Sequence, residues 1–365
     1  MINPVITIFP FIVAFLISIV VTPLTVIWFS KMGWKIDPKK TPHPAHIHRE
    51  PVPKGGGLPI FVAVILTLAI FLRWDKHLIA IGVACLLVLI TGLVDDVKGI
   101  NPYLRLTINF LAVGIIVASG IGIAYVSNPF GGVIDLSQWR WGFEFLGKYH
   151  EIWILADLFA LLWIPVLMNA INWSSGVDGQ ISGVVTIAAI ALGLISLSFS
   201  ADIAQWPVAT LAFALSGSFA GLTIFHFFPQ KIMPGYSATS LAGLLLGVIS
   251  ILATAKVGTV LVVLGVPLVD FTYIVIKRML SGKSPVWGDK SHLHHKLLKL
   301  GWGKRRIALF YWLITAILGL TAVKVEARSK LIIMVGLVIL MLGFMLWQYS
   351  WHFSKKSGRD SGSKI

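Results

Sequence analysis

Long apolar runs recur along this chain with few charges inside them, and that constrains the fold more than any other feature. A membrane-crossing helix needs roughly 20 apolar residues, and its backbone N–H and C=O groups must be satisfied within the segment because no water is at hand. On that scale the sequence predicts spans near residues 4–29, 57–72, 78–94, 104–126, 152–171, 182–200, 206–227, 238–254, 257–276, 306–323 and 331–350. Only 12% of the 365 residues are charged and 57% are hydrophobic, whereas soluble domains average about 25% charged. The chain therefore reads as all-α, a polytopic transmembrane helical bundle of about 11 spans. The first run lacks a basic leading segment and is too long for a signal-peptide apolar region, so it reads as a retained span. The lone cysteine, Cys85, lies inside an apolar run, which excludes an intrachain disulfide. Residues 1–353 read as one transmembrane unit, and the polar segment 354–365 as a disordered tail.

The net charge of +15 has two ordinary explanations, nucleic-acid binding and the positive-inside asymmetry of a membrane protein. The second is favoured because the charge sorts by loop. Of the 30 Lys and Arg, 22 follow odd-numbered spans and 8 follow even-numbered ones. The odd set is then cytoplasmic, with the N-terminus outside, the C-terminus in the cytoplasm and no nucleic-acid partner. The longest external loop, about 127–151, is rich in Trp and Gly and reads as an interfacial lid or packing element.

The same predicted face collects the polar clusters. Asp95 and Asp96, in Gly92-Leu-Val-Asp95-Asp96-Val-Lys98, close the third run. Carboxylates at a helix C-terminus are disfavoured by the macrodipole. Something must offset that cost: a divalent cation such as Mg²⁺, which takes one or two carboxylates plus phosphates and water, or Lys98 or Arg105. Asn169 and Asn172 share a helix face ahead of the turn Ser174-Ser175-Gly176-Val177-Asp178-Gly179. Amides and a carboxylate around a flexible turn suit a nucleobase, sugar hydroxyls or phosphate, and also suit a plain glycine-capped helix end. Lys54-Gly55-Gly56-Gly57 opens the second run, where backbone N–H groups can hold an anion. His43, His46 and His48 precede it without the cysteines or paired carboxylates of a metal site. Residues 291–302 read as a short amphipathic helix lying in the interface, with Leu293, Leu297 and Leu300 on one face and His292, His295, Lys296 and Lys299 on the other. A neutral histidine there could move a proton near pH 7. Asp270, within the ninth run, is either functional or hydrogen-bonded to a neighbouring span. Gly217/Gly221 and Gly243/Gly247 read as close-packing pairs.

Together these residues resemble the polyprenyl-phosphate N-acetylhexosamine-1-phosphate transferase family of membrane enzymes, over about residues 31–302. Gly92-Leu-Val-Asp95-Asp96 looks like the family's Asp-Asp motif. Asn169-Ala-Ile-Asn172 through Gly176-Val-Asp178-Gly179 looks like its Asn-x-x-Asn-x-x-Asp-Gly-x-Asp-Gly motif. Gly265-Val-Pro-Leu-Val-Asp270, Gly282-Lys-Ser-Pro285 and Asp289-Lys-Ser-His292-Leu-His294-His295 look like its C-terminal signature. The details favour the UDP-GlcNAc-type bacterial branch over the muramoyl-pentapeptide branch. Two positions depart from the family. Ser175 stands where the pattern has Asp, and Gly235-Tyr236-Ser237-Ala238-Thr239 stands where it has Gly-Asp-x-Gly-Ser. A phenol is protonated near neutral pH and is no hard anionic ligand.

The resemblance implies transfer of N-acetylhexosamine 1-phosphate from a UDP-sugar to polyprenyl (undecaprenyl) phosphate, releasing UMP. This would be the first membrane step of a cell-envelope polysaccharide such as lipopolysaccharide or cell wall, at the cytoplasmic face of a bacterial inner membrane. It implies Mg²⁺, or Mn²⁺, on Asp95, Asp96 and Asp178, and a homodimer as one arrangement. The implied catalytic residues are Asp95, Asp96, Asp178 and His294. The implied substrate-binding residues are Lys54, Lys98, Asn169, Asn172, Asp289, His292 and His295. The departures leave three alternatives: an ion held by Asp95, Asp96, Asp178 and substrate phosphates, an altered geometry, or a degenerate relative that only binds prenyl phosphate or nucleotide sugar. A transporter has less support, because transport sites lie near mid-membrane.

Overall fold

The computed structural model describes residues 8–36, 51–145, 147–198, 205–253, 257–286 and 291–361. His43, His46, His48 and Asp289 lie outside these. Helices dominate in chain order: α1 (Ile8–Lys31), α2 (Gly57–Phe71), α3 (Lys76–Lys98), α4 (Pro102–Ala118), α5 (Ile154–Trp173), α6 (Gln180–Leu197), α7 (Gln205–His226), α8 (Gly235–Leu252), α9 (Val257–Val263), α10 (Gly265–Leu280), α11 (Leu293–Lys299), α12 (Lys304–Lys324) and α13 (Ala327–Ser361). Three short antiparallel strand pairs join them: β1 (Lys35–Ile36) with β2 (Val52–Pro53), β3 (Tyr125–Ser127) with β4 (Val133–Asp135), and β5 (Arg140–Phe145) with β6 (Lys148–Trp153).

Every predicted run falls on a helix, but not every helix is a full span. Among the described residues, eight helices are long and apolar enough to cross a membrane, or nine if α9 and α10 count as one span bent by 85°. α2 and α4 are apolar but shorter, at 15 and 17 residues. The bend falls at Leu264, and Pro267 lies in the first turn of α10, where its missing N–H costs nothing. The run predicted to continue to residue 126 stops at Ala118, and the chain passes Gly120 at φ +100° into β3. The expected external loop is built from the two hairpins β3–β4 and β5–β6, whose Trp139, Trp141 and Tyr149 are exposed. One expectation is corrected at the C-terminus. α13 runs on to Ser361, so residues 354–361 are helical rather than disordered, as follows when each further residue adds one hydrogen bond to an existing helix.

The bundle is built around α6, α7 and α8. In α8, 89% of the apolar window is buried, whereas in α13 the share is 6%. Glycines set the closest approaches. A methyl group at Gly217 would collide with the carbonyl oxygen of Phe11 on α1, and one at Gly243 with the backbone of Met168 on α5. Both expected glycine pairs therefore mark close crossings, where small residues let backbones approach.

Many helix ends meet at one end of the bundle, among them the starts of α2, α4, α6, α8, α11 and α12 and the finishes of α3, α5 and α7. The Gly57 N–H donates to Ser237 Oγ (3.1 Å), tying α2 to α8. The Trp312 indole donates to the Gly179 carbonyl (3.0 Å), tying α12 to the start of α6. Replacing Gly243 by Leu should destabilise the purified protein by about 1–3 kcal/mol through overpacking. Thermal unfolding in detergent measures this, and an unchanged midpoint would contradict the crossing described.

Candidate active site

The site begins with a conflict of charge at the end of α3. Its two terminal carboxylates face the negative end of the helix dipole. Each is rescued from a different direction. Asp95 Oδ2 pairs with Arg105 Nη1 at 3.0 Å, and Asp95 Oδ1 accepts from the Ile100 N–H at 2.9 Å. Arg105 can reach back because Asn101 caps α4 by accepting from Tyr103 N, with Pro102 in the first position. Lys98, the other candidate partner, is exposed and leaves this role to Arg105.

Asp96 points the other way and is buried. It accepts the Tyr236 N–H (2.7 Å), the Ser237 N–H (3.2 Å) and the Ser237 hydroxyl (2.6 Å). These N–H groups open α8 and would otherwise lack partners, so a carboxylate here satisfies both its own charge and the helix start. Gly235, at φ +68°, is required twice over, because a Cβ would also strike the Asp96 carboxylate. The Lys54 ammonium is a further charge acting on Asp96. Tyr236 lies beside this seam and is buried. Its hydroxyl bonds the Asn109 side chain (2.9 Å), and the Arg105 guanidinium stands 4.6 Å from its ring centroid.

The turn after α5 supplies the second cluster. Asn172 Oδ1 accepts from the Thr239 hydroxyl (2.9 Å), one turn into α8. Ser175 donates to the Asn172 carbonyl (2.6 Å), which closes the turn. Asp178 is 3% exposed, and its Oδ1 accepts from Lys304 Nζ at 3.0 Å. Asn169, by contrast, turns its amide back onto the Pro165 carbonyl of its own helix (2.8 Å).

The histidine segment differs from its expected place on the membrane surface. α11 spans only Leu293–Lys299, and His292, His294 and His295 are buried along with Leu293 and Leu297. Asp270 explains this: its Oδ2 bonds His292 Nδ1 (2.8 Å) and its Oδ1 accepts the Leu293 N–H (2.9 Å). One buried carboxylate thus anchors the helix start on α10, which assigns Asp270 the hydrogen-bonding role. The His294 ring packs directly against Gly176 and lies parallel to His292 at 5.6 Å. Burial, then the neighbouring imidazoles of His295 and His292, push the His294 pKa well below its ordinary value, so the ring is neutral.

Asp96, Asn172 and His294 are therefore joined through Ser237, Thr239 and Gly176, and Asp178 closes the same turn. Among the described residues no three His, Cys, Asp or Glu side chains come together as metal ligands, and Asp95, Asp96 and Asp178 each meet an internal donor. Lys304, Asn109 and Thr239 did not emerge from the sequence as site residues. Lys304 left one signal: Lys304-Arg305-Arg306 opens α12, where cations oppose the dipole unless an acid faces them.

This arrangement defines a multi-pass membrane protein with a buried, charge-paired polar site at one end of its bundle. The sequence profile described as glycosyl transferase family 4 matches residues 78–254, which hold the Asp-Asp, Asn172–Asp178 and Tyr236 segments. The chain is 27% identical over 342 residues to the "Probable undecaprenyl-phosphate N-acetylglucosaminyl 1-phosphate transferase" of Bacillus subtilis (strain 168), covering 91% of this chain and 89% of that one. It is 28% identical over 338 residues to the undecaprenyl-phosphate alpha-N-acetylglucosaminyl 1-phosphate transferase of Escherichia coli (strain K12), covering 90% and 87%. With the decaprenyl-phosphate N-acetylglucosaminephosphotransferase of Mycolicibacterium smegmatis it shares 25% over 337 residues, covering 84% and 80%. The chain is thus similar to glycosyl transferase family 4 over residues 78–254 and to these polyprenyl-phosphate transferases over most of its length.

Two measurements test the site as a structure. Ser237→Ala should cost roughly 1.5–3 kcal/mol of stability, since it removes a hydrogen bond to a buried carboxylate, and thermal or denaturant unfolding reads the loss. His294 binds a proton less readily folded than unfolded, so its stabilising contribution is complete above the ordinary value of 6.5 and declines as pH falls below it. The midpoint of the native protein should therefore drop faster below pH 6.5 than that of His294→Asn.

Proposed function

We propose that this chain transfers N-acetylhexosamine 1-phosphate from a UDP-N-acetylhexosamine to a polyprenyl phosphate at the cytoplasmic face of a bacterial membrane, releasing UMP. The observation that carries this reading is the joining of the Asp95–Asp96, Asn172–Asp178 and His292–His295 segments, distant in sequence, through Asp96–Ser237, Thr239–Asn172 and Gly176–His294. The names of the relatives supply the substrates, and the loop distribution of Lys and Arg supports the orientation.

A phosphate monoester has its second pKa near about 6, so the lipid phosphate arrives largely as the dianion and needs no strong base. One of its oxygens forms the new bond to the β-phosphorus of the UDP-sugar. The bond from that phosphorus to the bridging oxygen breaks, and UMP leaves with the electron pair. No proton has to move during the exchange. The protein's task is to bring two anions together and hold them in line, which fixed cations and N–H donors do without reorganisation. Lys54, Arg105 and Lys304 supply positive charge. Asn172 and Asp178 suit the nucleotide sugar, and the neutral His294, with His292 and His295, suits the diphosphate. Asp95 holds Arg105 in place.

Purified protein, radiolabelled UDP-GlcNAc and undecaprenyl phosphate test the reading. UMP release is expected from the native chain and should fall roughly 100-fold or more in Asp95→Asn and Asp178→Asn. Native-like rates in both variants, or no release by the native chain, would defeat it.

A further inference from the structure

Three carboxylates belong to the candidate site, and none is left as a bare anion. Both oxygens of Asp95 are engaged, by the Arg105 guanidinium and the Ile100 N–H. Both oxygens of Asp96 are engaged, by three donors from the start of α8. Asp178 is held by Lys304 and is almost wholly buried. Tyr236 presents a neutral ring to the cation Arg105, and its hydroxyl is committed to Asn109. A hard divalent ion needs oxygen ligands that are negative and accessible, and it would meet a guanidinium and an ammonium already in those places. Among the described residues the donor set does not fit the Mg²⁺ that the family resemblance implies.

The same residues fit a phosphate. The Arg105 side chain is 23% exposed, so its guanidinium is both reachable and fixed. A guanidinium offers five N–H donors and stays charged at every working pH. Among the described residues the only hydrogen bond Arg105 makes with its side chain is the one to Asp95. Lys304 is 17% exposed and also combines a carboxylate contact with access to solvent.

We propose that this chain neutralises its phosphate ligands with the built-in cations Arg105 and Lys304 in place of a resident divalent ion, and that Tyr236 is the positioning residue that holds Arg105 in its stacked orientation. The identity of the phosphates rests on the function proposed above; the metal independence does not.

The test uses full-length, chelator-stripped protein in detergent. Electron paramagnetic resonance of added Mn²⁺ should show no saturable site up to about 1 mM, and Tyr236→Asp should acquire one. UDP-GlcNAc binding, read in excess EDTA as a rise in unfolding temperature, should persist in the native protein. It should weaken about tenfold or more in Arg105→Ala and be largely retained in Tyr236→Phe, which keeps the ring. One Mn²⁺ per native chain, lost in Asp95→Asn, would overturn the proposal, as would binding that vanishes in EDTA and returns with Mg²⁺. Equal affinities of the native protein and Arg105→Ala would overturn the role of Arg105. If nucleotide binding follows the expected pattern but UMP is never released, the reaction assigned above fails while the cation assignment stands.

Discussion

The seam between Asp96 and the first turn of α8 is the contact on which the site depends. A carboxylate at the end of α3 is unfavourable, and so is a buried helix start with unpaired N–H groups. Bringing the two together removes both costs at once. The seam also fixes the axial position of α8, the most enclosed helix of the bundle. Thr239 then falls opposite Asn172, and the turn bearing Asp178 falls opposite α11. Gly235, Gly92 and Gly176 are among the places where a side chain would prevent this, striking Asp96, Ser237 and His294 respectively.

A second regularity follows from the first. Asp95 lies at the negative end of α3, while Arg105 and Lys304 lie near the positive ends of α4 and α12. Each is unfavourable on its own helix: Asp95 and Arg105 answer each other across the α3–α4 boundary, and Lys304 is answered by Asp178 just ahead of the start of α6. Such pairs are weak stabilisers, because desolvation offsets much of the attraction. What they provide is a set of charges held at defined positions before any ligand arrives, the condition under which electrostatic stabilisation is most effective.

Much of this was legible beforehand, and the limits have identifiable causes. Helix positions were legible because apolar runs and their Gly and Pro punctuation act locally. The bend between α9 and α10 was not, because a run of apolar residues from 257 to 276 looks the same whether straight or folded back by 85°. The Asp95–Asp96 and Asn172–Asp178 segments stood out because acids are costly beside long apolar runs. The histidines were placed on a surface because Leu293, Leu297 and Leu300 alternate with polar residues as an interfacial helix would. Asp270, more than twenty residues earlier in the chain, was needed to draw them inward.

The sequence by itself determined that this chain is helical, crosses a membrane many times and collects its acids, amides and histidines at run ends. Solvation decides those properties residue by residue. Only the tertiary structure decided which charge answers which: Arg105 rather than Lys98 for Asp95, Lys304 for Asp178, and the start of α8 for Asp96. Ion pairs and hydrogen bonds act over a few ångströms between atoms more than a hundred residues apart in two of these three cases, and a linear sequence carries no record of that distance until the helices have packed.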